Sequence, residues 1–78
     1  MIQLHLRLHG ILRERLPAEA KGRAILTFPE ETTITAVLDE LSLHRHIQVA
    51  VNEEIEDNLD RKLQDGDRLE IFRPSAGG

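Results

Sequence analysis

The chain has 78 residues, 40% hydrophobic and 31% charged, with a formal net charge of −4. That allows one small core and no second domain, in the composition range of a folded chain rather than a disordered one. No cysteine is present, which excludes disulfides, iron–sulfur clusters and thiolate zinc sites, so packing must stabilise the fold and any sulfur chemistry must use sulfur from outside.

Ile2, Leu4, Leu6 and Leu8 alternate with Gln3, His5, Arg7 and His9. Period two over eight residues predicts a strand with one buried face. The alternation lacks the continuous apolar block of a secretory signal, and no apolar run in the chain approaches a membrane span. Gly10 breaks the strand. "ILRERLP" places Leu12 and Leu16 four apart and predicts a short helical turn stopped by Pro17. "EAKGR" reads as a turn, and "RAILTF" as a second strand forming a hairpin with the first. Pro29 and the Glu30-Glu31 pair close it.

"TTITAVLDEL" is the clearest helix. Ile34, Val37, Leu38 and Leu41 share one face, and Thr32 or Thr33 can cap the N-terminus. "HIQVAVN" predicts a strand with Ile47, Val49 and Val51 on one face. Asn52 to Glu54 form a turn, Ile55 opens a short extra strand, and Leu59 and Leu63 pin the next loop to the core. "QDGDRLEIFRP" supplies an Asp-Gly turn and a last strand from Arg68 to about Arg73. One helix against one mixed sheet is a two-layer α+β domain. Proline is poorly tolerated in a paired central strand, so the sheet should end at Pro74. The expected organisation is a domain over 1–74 and a flexible Gly-Gly tail over 75–78.

With these residues in view the chain resembles the ubiquitin-like β-grasp sulfur carriers of the MoaD/ThiS family, the molybdopterin-synthase small subunits and thiamine-biosynthesis carriers. "LQDGDRLEIF" resembles the family's turn into the last strand, "VAVNEE" its central strand and turn, and the final "GG" its reactive end. The resemblance covers nearly the whole chain. It implies a four- to five-stranded mixed sheet on one main helix. It also implies that an E1-like adenylating enzyme activates the Gly78 carboxylate with ATP, after which a sulfur donor protein leaves a thiocarboxylate. Ser75, Ala76 and Gly77 would thread into the partner; without side chains, Gly77 and Gly78 suit a narrow channel. The tail has no base or oxyanion donors of its own, so the partner must supply them. Phe72, Arg73 and Pro74 are the expected partner contacts. Phe72 shares a strand face with Glu70 and is either an exposed anchor or covered by the short helix or the loop near Ile55.

Arg13-Glu14 in "LHGILRERLP" resembles the molybdopterin type, whose second partner is the molybdopterin synthase large subunit. Arg73 stands where that type often has a proline, as chains of the thiamine type can, and the alternative partner is then a thiazole synthase. The rival readings are an interaction module with an incidental Gly-Gly and a modifier conjugated to lysine through Gly78. The expectations are completed by a cytoplasmic location, no bound cofactor, no metal, no nucleic acid and no membrane. His5 and His9 lie about 13 Å apart along their strand, too far to share an ion. His44 and His46 read as charges complementing a helix C-terminus. Residues 1–23 balance to +3, while "NEEIEDNLD" carries five acids and no base; that acidic run reads as a solvated loop, or less simply as a dock for a basic partner.

Overall fold

The computed structural model describes residues 1–43 and 45–74. β1 (Ile2–Leu8) alternates buried and exposed at every position, as its sequence predicts. β2 (Arg23–Phe28) pairs with it antiparallel, from Ile2 opposite Phe28 to Arg7 opposite Arg23. The connection is longer than a simple turn. A 3₁₀ helix (Gly10–Arg15) buries Leu12, and a second 3₁₀ turn covers Ala18–Ala20. Gly22 then enters β2 at φ 77°, where a Cβ would lie 2.6 Å from the Leu8 carbonyl oxygen and 2.7 Å from Arg13 Cγ. Only glycine fits both the conformation and the contact.

The helix α1 (Ile34–Leu41) buries Ile34, Val37 and Leu38. Thr33 is the cap, its Oγ1 accepting from Ala36 N at 3.2 Å, while Thr32 Oγ1 donates to the Pro29 carbonyl at 2.6 Å. Two further amides of the first turn are satisfied by a distant loop, Ile34 N by the Arg61 carbonyl and Thr35 N by the Leu59 carbonyl. A buried helix end needs such partners. At the other end Ser42 adopts the left-handed conformation at φ 56°, Ser42 N donates to Asp39 O, and Leu43 N donates to Leu38 O. That is a Schellman stop, and Leu43 is the apolar residue that goes with it, 4% exposed.

β3 (Gln48–Val51), β4 (Glu54–Ile55) and β5 (Arg68–Phe72) complete a five-stranded mixed sheet in the order β2-β1-β5-β3-β4. β5 lies between β1, parallel to it, and β3, antiparallel. Asn52 and Glu53 turn β3 into β4 with φ of 51° and 74°. The central turn and the Asp-Gly turn are tied together. Asn52 Nδ2 donates to Asp67 Oδ1 at 3.0 Å, Asn52 Oδ1 accepts from Arg68 N at 2.9 Å, and Asp67 Oδ2 accepts from Gln64 N at 2.8 Å. The motifs "VAVNEE" and "LQDGDRLEIF", distant in sequence, therefore form one hydrogen-bonded corner.

One sheet face, with Leu4, Leu6, Leu8, Val49, Val51, Leu69 and Ile71, packs into a single core with α1. Three expectations change. Leu41 is only half-buried, because the helix turns off at Ser42. Leu59 pins its loop with its carbonyl, not its side chain, which is exposed; Leu63 alone enters the core. Ala50 is buried although it lies on the outer sheet face, a small side chain in register between Glu70 and Ile55. No helix among the described residues is long and apolar enough to cross a membrane.

Candidate functional site

The site the sequence points to is the end of the sheet where β5 stops. Phe72 is the last paired residue, opposite Gln48 of β3. Arg73 and Pro74 follow, both exposed. Arg73 lies over a recess of about 340 Å³ beside the first 3₁₀ helix, with Ile11, Leu12, Glu14 and Arg15. Pro74 lies at a separate recess of about 260 Å³ whose walls include Ile47, Gln48, Glu56 and Leu59. The two residues thus face opposite flanks of one strand end. Ser75, Ala76, Gly77 and Gly78 lie outside the described residues, as does His44.

Phe72 is neither a bare anchor nor a core residue. It is half-buried, and its ring meets that of His9 edge-on, centroids 6.1 Å apart at 89°. The parallel register explains this cover. Leu8 stands opposite Ile71, so the next residue of each strand shares the outer face. His9 also bonds Glu70, Nε2 to Oε2 at 2.8 Å. Glu70, His9 and Phe72 therefore form one partly exposed group at the strand end, and His9, the residue that leads into the short helix, covers one side of the ring. His5 and His9 share the outer face of β1, but no group of three or more His, Asp or Glu close enough for a metal occurs among the described residues.

The outer sheet face carries apolar residues that the strand reading passed over. Ile25, opposite His5, is 62% exposed, and Ile55, opposite Ala50, is 52% exposed. The signal was available: Ile25 alternates with Ala24 and Leu26 and so shares the face of Arg23 and Thr27. Ile25 and Ile55 thus lie exposed at the two edges of one face, with half-buried Phe72 at its end.

The wall beside Pro74 is braced electrostatically. Arg61 Nη1 donates to Glu56 Oε1 at 2.8 Å, and Glu56 Oε2 accepts from Asn58 N at 3.2 Å. The Arg61 hydrogen bond, then the Asn58 amide, lowers the Glu56 pKa below its ordinary value. A carboxyl made more acidic by folding keeps its partner above the ordinary carboxylate range and loses it as pH falls through the lowered value. Arg61→Ala should therefore move the Glu56 titration upward, read from the side-chain carboxyl signal by NMR. A titration that does not move would show that the brace is absent in solution.

The fold has solved counterparts. The Haloferax volcanii HVO 2177 protein superposes with a TM-score of 0.79 at 23% identity, over 99% of this chain and 87% of that one. Small archaeal modifier protein 1 of Haloferax volcanii gives 0.77 at 21% identity, over 96% and 100%. One chain of a complex of subunits 1 and 2 of the molybdopterin-converting factor from Helicobacter pylori gives 0.68 at 22% identity, over 99% of this chain and 100% of that one. At these identities the likeness establishes the ubiquitin-like β-grasp fold. No curated protein matches the chain. The ThiS family model matches residues 7–78, from the outer-face arginine of β1 through both final glycines, and the chain belongs to the ThiS family.

Proposed function

We propose that the protein is a sulfur carrier whose Gly78 carboxyl is adenylated by an E1-like enzyme and converted to a thiocarboxylate that donates sulfur in molybdopterin formation. The observation that carries this reading is the family match running to residue 78 on a β-grasp domain whose last strand stops at Phe72. A free carboxylate is a poor acyl donor. Its oxygen attacks the α-phosphorus of ATP and pyrophosphate departs; a sulfur nucleophile then displaces AMP from the carbonyl carbon. The chain has no cysteine, so that sulfur comes from a donor protein as a persulfide. A second partner thiol then attacks the donor sulfur of the resulting acyl disulfide, forming a disulfide and releasing the thiocarboxylate. The first 3₁₀ helix with Arg13 and Glu14, and the likeness to the Helicobacter pylori two-subunit complex, favour a molybdopterin synthase large subunit as the acceptor partner over a thiazole synthase. The likeness to small archaeal modifier protein 1 supports a second reading, conjugation of Gly78 to a lysine. The test is intact mass after incubation with the activating enzyme, ATP and a sulfur source. Replacement of one oxygen by sulfur is expected; a chain unmodified with every candidate activating enzyme overturns the carrier reading.

Phe72 with Arg73 and Pro74 would contact the activating enzyme at the base of the threaded segment. Phe72→Ala should weaken that complex by about 1–3 kcal/mol, the range for an interface anchor. Because the ring is only half-buried, folding should lose less than the roughly 3–5 kcal/mol of a core phenylalanine. Calorimetric affinity and the thermal midpoint of the same variant separate the two effects. Lost stability with unchanged affinity would make Phe72 a structural residue.

A further inference from the structure

Four cationic side chains converge on a cleft beside the end of β1. Arg7 and Arg23 stand directly opposite each other across the β1–β2 pair. Arg13 comes from the first 3₁₀ helix and Lys21 from the turn into β2. Together they line a cleft of about 510 Å³ with no carboxylate in its wall. Among the described residues none of the four belongs to an ion pair. Like charges directly opposite in a sheet oppose pairing, so the arrangement works against folding in a chain whose net charge is −4. Glu70 stands in register with Arg7 on its other side, but it bonds His9 and faces the neighbouring cleft rather than this one.

The Arg13 stem and the Lys21 backbone are held in place. The Arg13 stem lies against the bare Cα of Gly22, where a Cβ would come within 2.7 Å of its Cγ. Lys21 is fixed in the left-handed region at φ 54°, its N–H donating to the Ala18 carbonyl. Guanidinium groups match the oxygens of phosphate in pairs, and an ammonium adds a compact point charge. The cleft falls within the roughly 300–1,000 Å³ typical of ligand pockets.

We propose that this cleft binds a phosphate group, carried by a free diphosphate or by a nucleotide. The proposal does not depend on the chemistry of Gly78. It is tested by titrating the whole, isotopically labelled chain with inorganic pyrophosphate and, separately, with ATP, each at constant ionic strength set with sodium chloride. Saturable shifts are expected in the amides of Arg7, Gly10, Arg13, Lys21, Gly22 and Arg23. Saturation by both ligands means that the phosphate group suffices, and saturation by ATP alone that the nucleoside adds to it. The exposed double change Arg13→Gln with Lys21→Gln should weaken binding at least tenfold. Arg68→Gln, an exposed arginine outside this cleft, should leave binding unchanged. Pyrophosphate should also raise the thermal midpoint of the parent chain and not of the double variant. Shifts that grow linearly without saturating, or that persist equally in the double variant, overturn the proposal and leave only diffuse screening.

Discussion

Leu69→Ala should lower the stability of the fold by about 2–5 kcal/mol, the range for removing a buried leucine. For 78 residues the whole folding free energy is on the order of 4–12 kcal/mol, so one side chain would take a large share of it. The position argues for the upper part of the range. Leu69 is fully buried in the central strand, in register with Leu6 on one side and Val51 on the other. A cavity there is walled by paired strands and α1, which cannot collapse into it without breaking the ladders. Ile25→Ala is the internal comparison. It removes an aliphatic side chain from the same sheet, but from the outer face at 62% exposure, and should change stability by no more than about 0.5 kcal/mol. Urea unfolding of the two variants reads the difference as a shift in midpoint at unchanged slope. Equal losses would mean that the two faces of the sheet are not distinguished as described.

Most of this scaffold is legible in the sequence because its signals are local. The alternation in β1 and the apolar stripe of α1 each fall within one element; the first matches the structure throughout and the second everywhere but at Leu41. What escaped depends on contacts between segments. Leu43 enters the core because Ser42 takes a left-handed conformation that a serine does not announce. Loop 59–63 holds the helix through backbone carbonyls, which carry no residue identity. The cover on Phe72 follows from the parallel register of β1 and β5, a pairing that neither strand's pattern specifies. The cationic cleft shows the same limit. A basic N-terminal third is visible in composition, but convergence of Arg7, Arg13, Lys21 and Arg23 requires the hairpin and the 3₁₀ helix together. The chemistry assigned to Gly78 lies at the opposite extreme. No local physical pattern encodes it, and it rests on family resemblance joined to the absence of side chains.

Deleting Gly78 should abolish adenylation and sulfur loading while leaving the domain folded. Among the described residues the β-sheet ends at Phe72 and the core cluster draws its last member from Ile71, and a chain terminus beyond the last strand is where change is best tolerated. In the proposed reaction the attacking oxygen would have to sit within bonding approach of the α-phosphorus, and misplacement by about 1 Å can cost 10²-fold in rate. Adding one residue after Gly78 should be equally damaging. An extended residue displaces the carboxylate by up to about 3.5 Å, and a channel shaped for a bare glycine would then have to admit a longer segment. Gly78→Ala separates length from bulk. The carboxylate keeps its place in the chain but gains a Cβ beside it, so loading should be slowed rather than lost. The three variants and the parent chain are compared by intact mass after timed incubation with the activating enzyme, ATP and the sulfur source, with circular dichroism as the check on folding. Sulfur in the parent alone, with slow conversion of the alanine variant, is the expected order. Normal loading of the extended chain would show that neither the length of the tail nor Gly78 itself is required, and the role proposed for Gly78 would fall.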